Sequence, residues 1–251
     1  MRPTVVQRAW AWLITPPADL VTDADRRTVR VAGLDLPSRA SIAVSVATIV
    51  LLVDLSRVLV PETAAQLGRA PEGLRAVALE RFVLFGAVPL LVVLLAFRDR
   101  PSRYGWTLGD GRAGVLLIVA GCIVMTPIVL WFAGLPDVQA YYAVSAAPPM
   151  DVVITNALEL TAAESLFRGF VMLTLVRAIG PLGVLIAVMP FAFDHVGKPA
   201  LELLSTPLGG LAYGWLAWRT RSIVWGSIAH VYILSLVTLA AAAAAAATAT
   251  P

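Results

Sequence analysis

The sequence predicts an all-α protein, a polytopic membrane helix bundle of about seven transmembrane helices, and three observations carry that prediction. Of its 251 residues, 59% are hydrophobic and only 14% charged, a balance that leaves an ordinary soluble domain without enough polar surface to cover its core. Apolar stretches of about 20 residues recur along the chain, the length needed to cross roughly 30 Å of hydrocarbon. The arginines gather in short segments beside these stretches, as the basic flanks of membrane helices do.

Residues 1–38 form an N-terminal cytoplasmic or interfacial segment. Its apolar patch at 9–14 carries Trp10 and Trp12 and ends at Pro16 and Pro17 without a small-residue cleavage pattern. It therefore reads as an amphipathic helix at headgroup level rather than a removable signal. Residues 39–247 form one transmembrane domain, with spans expected at 41–60, 82–97, 113–133, 152–176, 182–196, 201–218 and 223–242. The fifth is the shortest. Arg98, Arg100, Arg103 and Arg112 follow the second span, and Arg219 and Arg221 follow the sixth. With Arg2, Arg8, Arg26, Arg27, Arg30 and Arg39 before the first, the positive-inside rule puts all of them on the cytoplasmic side together with the N-terminus. Arg69, Arg75 and Lys198 fall on the opposite side. The alanine run at 240–247 prolongs the last helix, alanine having the highest helix propensity.

The formal charge of +3 is spread among helix flanks rather than gathered in a patch, so nucleic acid is not an expected partner, whereas membrane lipids are. Cys122, the only cysteine, lies in an apolar run; it reads as a buried small hydrophobe, and neither an internal disulfide nor a cysteine metal cluster can form. Abundant alanine and arginine in place of lysine, Lys198 being the only one, resemble the coding bias of a GC-rich bacterium, which makes a bacterial inner membrane the expected location.

Ionisable side chains within spans are costly and point to a cavity or a partner. The fourth span holds Asn156, Glu159, Glu164 and Arg168, the fifth ends in Asp194 and His195, and the last holds His230. Asp54 and Arg57 read as a local ion pair near the outer end of the first span. Glu164 and Arg168, four apart, share a helix face and can pair there, as a purely structural link or as part of a site.

Ala163-Glu164-Ser165-Leu166-Phe167-Arg168-Gly169 resembles the Glu-Glu-x-x-Phe-Arg-Gly motif of the CAAX protease and bacteriocin-processing family of intramembrane endopeptidases. Phe191-Ala192-Phe193-Asp194-His195 resembles its Phe-x-x-x-His motif, and His230-Val231-Tyr232-Ile233-Leu234 its His-x-x-x-Asn motif. Residues 209–223 are similar to the small-residue helix and basic turn between them, and the resemblance covers residues 152–237. It implies a helix bundle around a water-filled cavity where a glutamate and a histidine activate water. In that pattern the first glutamate is the base, the second helps hold the site, the second-motif histidine assists, and the third-motif histidine and asparagine stabilise the oxyanion. The physical logic is general, since a carboxylate beside histidine can take a proton from water while another donor meets the charge formed on the carbonyl oxygen.

The chain departs from the pattern at two positions, with Ala163 at the first glutamate and Leu234 at the asparagine. Glu164, His195 and His230 remain as candidate catalytic groups. Glu159, one turn before Ala163 on the same face, is a candidate replacement base, with Arg168, Phe167, Phe191, Asp194 and Asn156 in support and Ser227 and Ser235 as further donors. No metal or other cofactor is expected; two histidines and a carboxylate binding zinc is the alternative. The expected activity is hydrolysis of a peptide or lipidated protein. The alternatives are a catalytically impaired relative that binds a membrane protein partner or assembles a complex, and a small-solute or lipid transporter. Counting about 1.5 Å per residue from the predicted cytoplasmic helix ends puts Glu164 and His195 about 20 Å deep and His230 about 11 Å deep.

Overall fold

The computed structural model describes residues 4–18, 21–59, 71–142 and 148–249; Arg69 and the end of the first predicted span lie outside them. The architecture is a helix bundle with one small two-stranded sheet. Helix α1 (Val5–Ile14) opens with a capping box between Thr4 and Gln7 and buries none of its residues. A short α2 (Asp23–Arg26) leads into strands β1 (Thr28–Val31) and β2 (Leu34–Pro37), paired antiparallel around Ala32 and Gly33, both at positive φ. That turn suits the twist of a two-residue hairpin. The hairpin was not among the expectations; its only trace is the alternation of Val-Arg-Val and Leu-Asp-Leu about Ala-Gly.

The bundle then runs through α3 (Ser38–Ser56) and α4, which starts at Pro71–Arg81 and continues through wide π-helical turns to residue 96. It continues with α5 (Gly111–Ala133), a short α6 (Pro136–Tyr142) and α7. The last comprises Pro149–Glu164, a π-helical stretch Ser165–Met172 and Leu173–Ile179. The chain closes with α8 (Leu182–Phe193), α9 (Ala200–Thr220) and α10 (Val224–Ala249). Among the described residues, four helical stretches are long and apolar enough to cross a membrane: Ser38–Ser56, Gly73–Ala96, Gly111–Ala133 and Val224–Thr248. The other three expected spans correspond to α7, which holds the most deeply buried stretch, and to α8 and α9, which bury one face and leave Leu185, Phe193, Leu204 and Leu208 exposed on the other. All eight residues of the π stretch in α7 are buried, and α8, with 12 residues, is only about 18 Å long. Close packing of α8 and α9 depends on Gly214, where a Cβ would sit 2.9 Å from Val184 and 3.2 Å from the Met172 sulfur.

The arginine-rich segments converge at one end of the bundle. Arg39 donates to Asp25 and Asp99 at 2.8 Å each, Arg103 reaches Asp25 at 2.6 Å, and Arg219 reaches Asp110 at 3.0 Å. Arg219 also donates to the Leu13 and Trp12 carbonyls, and Trp215 Nε1 to Ile14 O, so α9 caps the exposed C-terminal carbonyls of α1. The turn into α10 is sunk beneath this layer. Thr220, Ser222 and Ile223 are fully buried, and Ile223 N–H donates to Gly105 O at 3.0 Å. A Cβ at Gly169 would meet Tyr104 O at 2.5 Å, so only glycine lets the 101–106 turn approach α7 this closely.

Asp25 lies outside the spans and is 5% exposed. Burial opposes its ionisation, but the Thr22 N–H and hydroxyl together with Arg103 and Arg39 outweigh it and hold the carboxyl well below the ordinary range. A lowered folded-state pKa gives stability that is fully present above the unfolded value and is lost as pH falls toward the folded one. Asp25→Asn is therefore expected to cost about 1–3 kcal/mol at neutral pH. In thermal melts at successive pH, its gap from the parent protein should stay constant down to about pH 5 and narrow below the ordinary carboxylate pKa of about 3.9.

Candidate functional site

The π-helical stretch after Glu164 widens α7 by an extra residue per turn, a distortion that frequently marks functional positions. It places Glu164 and Arg168 in the bundle interior, 0% and 2% exposed. Glu164 Oε1 lies 3.0 Å from His230 Nδ1 on α10 and 3.4 Å from an Arg168 guanidinium nitrogen. The Arg168 guanidinium is stacked 3.8 Å over the Phe191 ring of α8, a cation–π contact strengthened by exclusion of water. Phe191 also touches Phe167 edge-on and packs against His195 and His230, with ring centres 4.5 Å and 6.2 Å away. His195 Nδ1 is bonded to Phe191 O at 2.8 Å. Glu164, Arg168, His195 and His230 are thus assembled around one aromatic ring.

The depth count is corrected by this geometry. It put Glu164 and His230 about 9 Å apart along the membrane normal, and they are in hydrogen-bond contact. The count assumed that helices start in one plane, whereas α10 starts deep, at Ile223 beside Gly169. From that level Glu164 is five residues away along α7 and His230 seven along α10, which at about 1.5 Å per residue brings them to nearly one height.

Glu159 and Asp194 are drawn elsewhere. Arg81 on α4 donates to Glu159 at 2.8 Å, to Asp194 at 3.0 Å and to Asp54 at 2.9 Å. Asp54 also holds Arg57 at 3.1 Å, the local pair expected from their spacing. Neither Glu159 nor the Asp194 carboxylate is paired with a histidine; both are held by Arg81. Arg81 escaped sequence reasoning because it stands just before the apolar run taken as the second span, whereas the helix begins ten residues earlier, at Pro71. Asn156 donates to Ser235 Oγ at 3.1 Å, tying α7 to α10. Leu234 packs in an apolar cluster with Val129, Val138 and Val237. Among the described residues, no group of three or more histidine, cysteine, aspartate or glutamate side chains has the arrangement to hold a metal ion.

A mostly apolar groove of about 370 Å³ opens along the same α7–α10 seam, lined by Ala157, Thr161, Ser227, Val231, Tyr232 and Trp106. Fold and cluster together define a membrane-type helix bundle with a glutamate–histidine pair enclosed by its own helices. Residues 145–235 match the family model of the Rce1-like type II CAAX prenyl endopeptidases, so this part of the chain is similar to the family that its three motifs resemble. Searches of curated proteins and of solved structures gave no match.

Proposed function

We propose that the chain is an intramembrane endopeptidase that hydrolyses a peptide bond in a peptide or lipidated protein, with Glu164 and His230 as its proton-handling pair. It would act in a bacterial inner membrane with its arginine-rich end toward the cytoplasm. The observation that carries this reading is the 3.0 Å contact between Glu164 and His230, enclosed among α7, α8 and α10. Glu164 uses Oε1 for His230 and Arg168, and its Oε2 has no hydrogen-bond partner, leaving an oxygen to accept a proton from water. In this role Glu164 stands in for the base that Ala163 cannot be. The Arg168 charge beside it suits a site where negative charge develops, and the α7–α10 groove fits an apolar segment of the substrate.

The test is incubation of purified protein, in proteoliposomes, with quenched-fluorescence peptides that include apolar and C-terminally prenylated members, run in ¹⁸O-labelled water. Hydrolysis is expected to place one labelled oxygen in each newly formed carboxylate. A second reading, a non-catalytic binding subunit, is favoured by the complete burial of Glu164 together with Ala163 and Leu234. It predicts retention of a bound membrane partner and no labelled product.

A further inference from the structure

We propose that Tyr213 is a catalytic residue of this site, donating its phenolic hydrogen to the oxyanion and so occupying the role left open by Leu234. The inference rests on the proteolytic reading above and deepens it. Tyr213 lies on α9, outside all three motifs, and its ring is stacked on His230 with centres 5.0 Å apart and planes 25° from parallel. The Arg168 guanidinium carbon is 5.5 Å from the same ring. Tyr213 therefore closes the side of the Glu164–His230 pair that faces α9.

Its hydroxyl is buried and has no hydrogen-bond partner. A buried polar group left unpaired costs about 1–3 kcal/mol, so such atoms are rare unless function retains them. Six buried side-chain polar atoms lack a hydrogen bond among the described residues, and four belong to this one cluster: Glu164 Oε2, both terminal Arg168 nitrogens, of which one is ion-paired with Glu164 Oε1 at 3.4 Å, and the Tyr213 hydroxyl. The set is one acceptor and three donor atoms. Attack of water on an amide requires that combination: an acceptor for the water proton and donors for the carbonyl oxygen.

The backbone of α10 lets these groups approach closely. At Gly226 on α10 a Cβ would stand 3.0 Å from Glu164 Oε2 and 3.6 Å from Tyr213 Cδ1. Glycine there lets the carboxylate and the phenol ring approach the same stretch of α10 from two other helices. No other residue type could be placed at 226 without moving the carboxylate.

The step balances with water as the co-reactant. Water forms the new C–O bond while its proton passes to Glu164, and the carbonyl π pair moves onto oxygen, where Tyr213 O–H and Arg168 N–H groups hold the charge. On collapse the C–N bond breaks, its electron pair goes to nitrogen, and the proton returns through the Glu164–His230 pair to the departing amine. Tyr213 keeps its proton throughout and acts only as a donor.

The test is Tyr213→Phe, which retains the ring and its stacking on His230, compared with the parent protein and Glu164→Gln on the peptide panel above. Loss of an oxyanion donor predicts a fall in kcat of about 100- to 1,000-fold, with KM changed little and the melting temperature not lowered, because the hydroxyl has no partner to lose. Tyr213→Phe retaining kcat within about threefold, on peptides that the parent cleaves and Glu164→Gln does not, would overturn this role and leave the endopeptidase reading standing. A fall in kcat accompanied by an equal fall in melting temperature would make Tyr213 a packing residue and overturn it as well. A parent protein that cleaves no member of the panel defeats the endopeptidase reading itself and the role with it.

Discussion

Replacing Glu164 by glutamine is expected to lower turnover about 100- to 10,000-fold, the range for loss of a positioned general base. Glutamine matches the carboxylate in shape and can still accept from His230, so packing around the fully buried side chain is retained. What disappears is the capacity to take a proton and the charge that balances Arg168. Glu159→Gln is the matched comparison, since Glu159 is the other carboxylate on this helix that could replace the base. It is held by Arg81 rather than by a histidine, and turnover within about threefold of the parent is expected. Steady-state hydrolysis of the same peptide by the two variants, both shown by size-exclusion chromatography to be monodisperse, decides between the carboxylates. A silent Glu164→Gln with an inactive Glu159→Gln would move the base one turn along α7 and overturn the assignment.

Arg81→Ala is expected to have the largest effect on stability. Its guanidinium serves Asp54 from α3, Glu159 from α7 and Asp194 at the end of α8, and Asp54 is completely buried. Removing one partner from a buried ion pair costs about 3–5 kcal/mol because the opposing charge is left uncompensated, and here three carboxylates lose the same cation. Thermal unfolding in detergent should show a large drop in melting temperature or failure to recover monodisperse protein. Arg81→Met combined with Asp54→Asn, Glu159→Gln and Asp194→Asn should recover much of the loss, since the set then carries no unmatched charge. Recovery by Glu159→Gln alone would instead assign most of the cost to that single pair.

Much of the bundle was legible because hydrophobic runs report burial whether the surroundings are lipid or protein. That indifference also limited the reading. The runs at 152–176, 182–196 and 201–218 look alike in sequence, yet α7 is buried through its middle, while α8 and α9 bury one face and expose Phe193, Leu204 and Leu208 on the other; on the buried faces polar groups are tolerated by pairing rather than by reaching water. Spacing along one helix correctly placed Glu164 beside Arg168 and Asp54 beside Arg57. It could not foresee Arg81, whose partners come from three helices far apart in sequence. Tyr213 carried no signal either, since a tyrosine near the middle of an apolar segment is commonly a packing residue, and only the convergence of α9 on His230 distinguishes it. The hairpin was hidden for a different reason: four-residue strands with mostly exposed side chains leave little periodicity to read.

The cap that α9 places over α1 also sets an order in time. Thr4 to Thr15 leave the ribosome well before the groups that receive them, Trp215 and Arg219, which follow about 200 residues later. At about 5–20 residues per second, α1 waits roughly 10–40 s for its final contacts. During that interval its exposed Val5, Val6 and Trp10 have a bilayer surface on which to rest. This segment is thus fixed late, closing the arginine-rich end only after α7 and α8 have been made, with α10 still to follow.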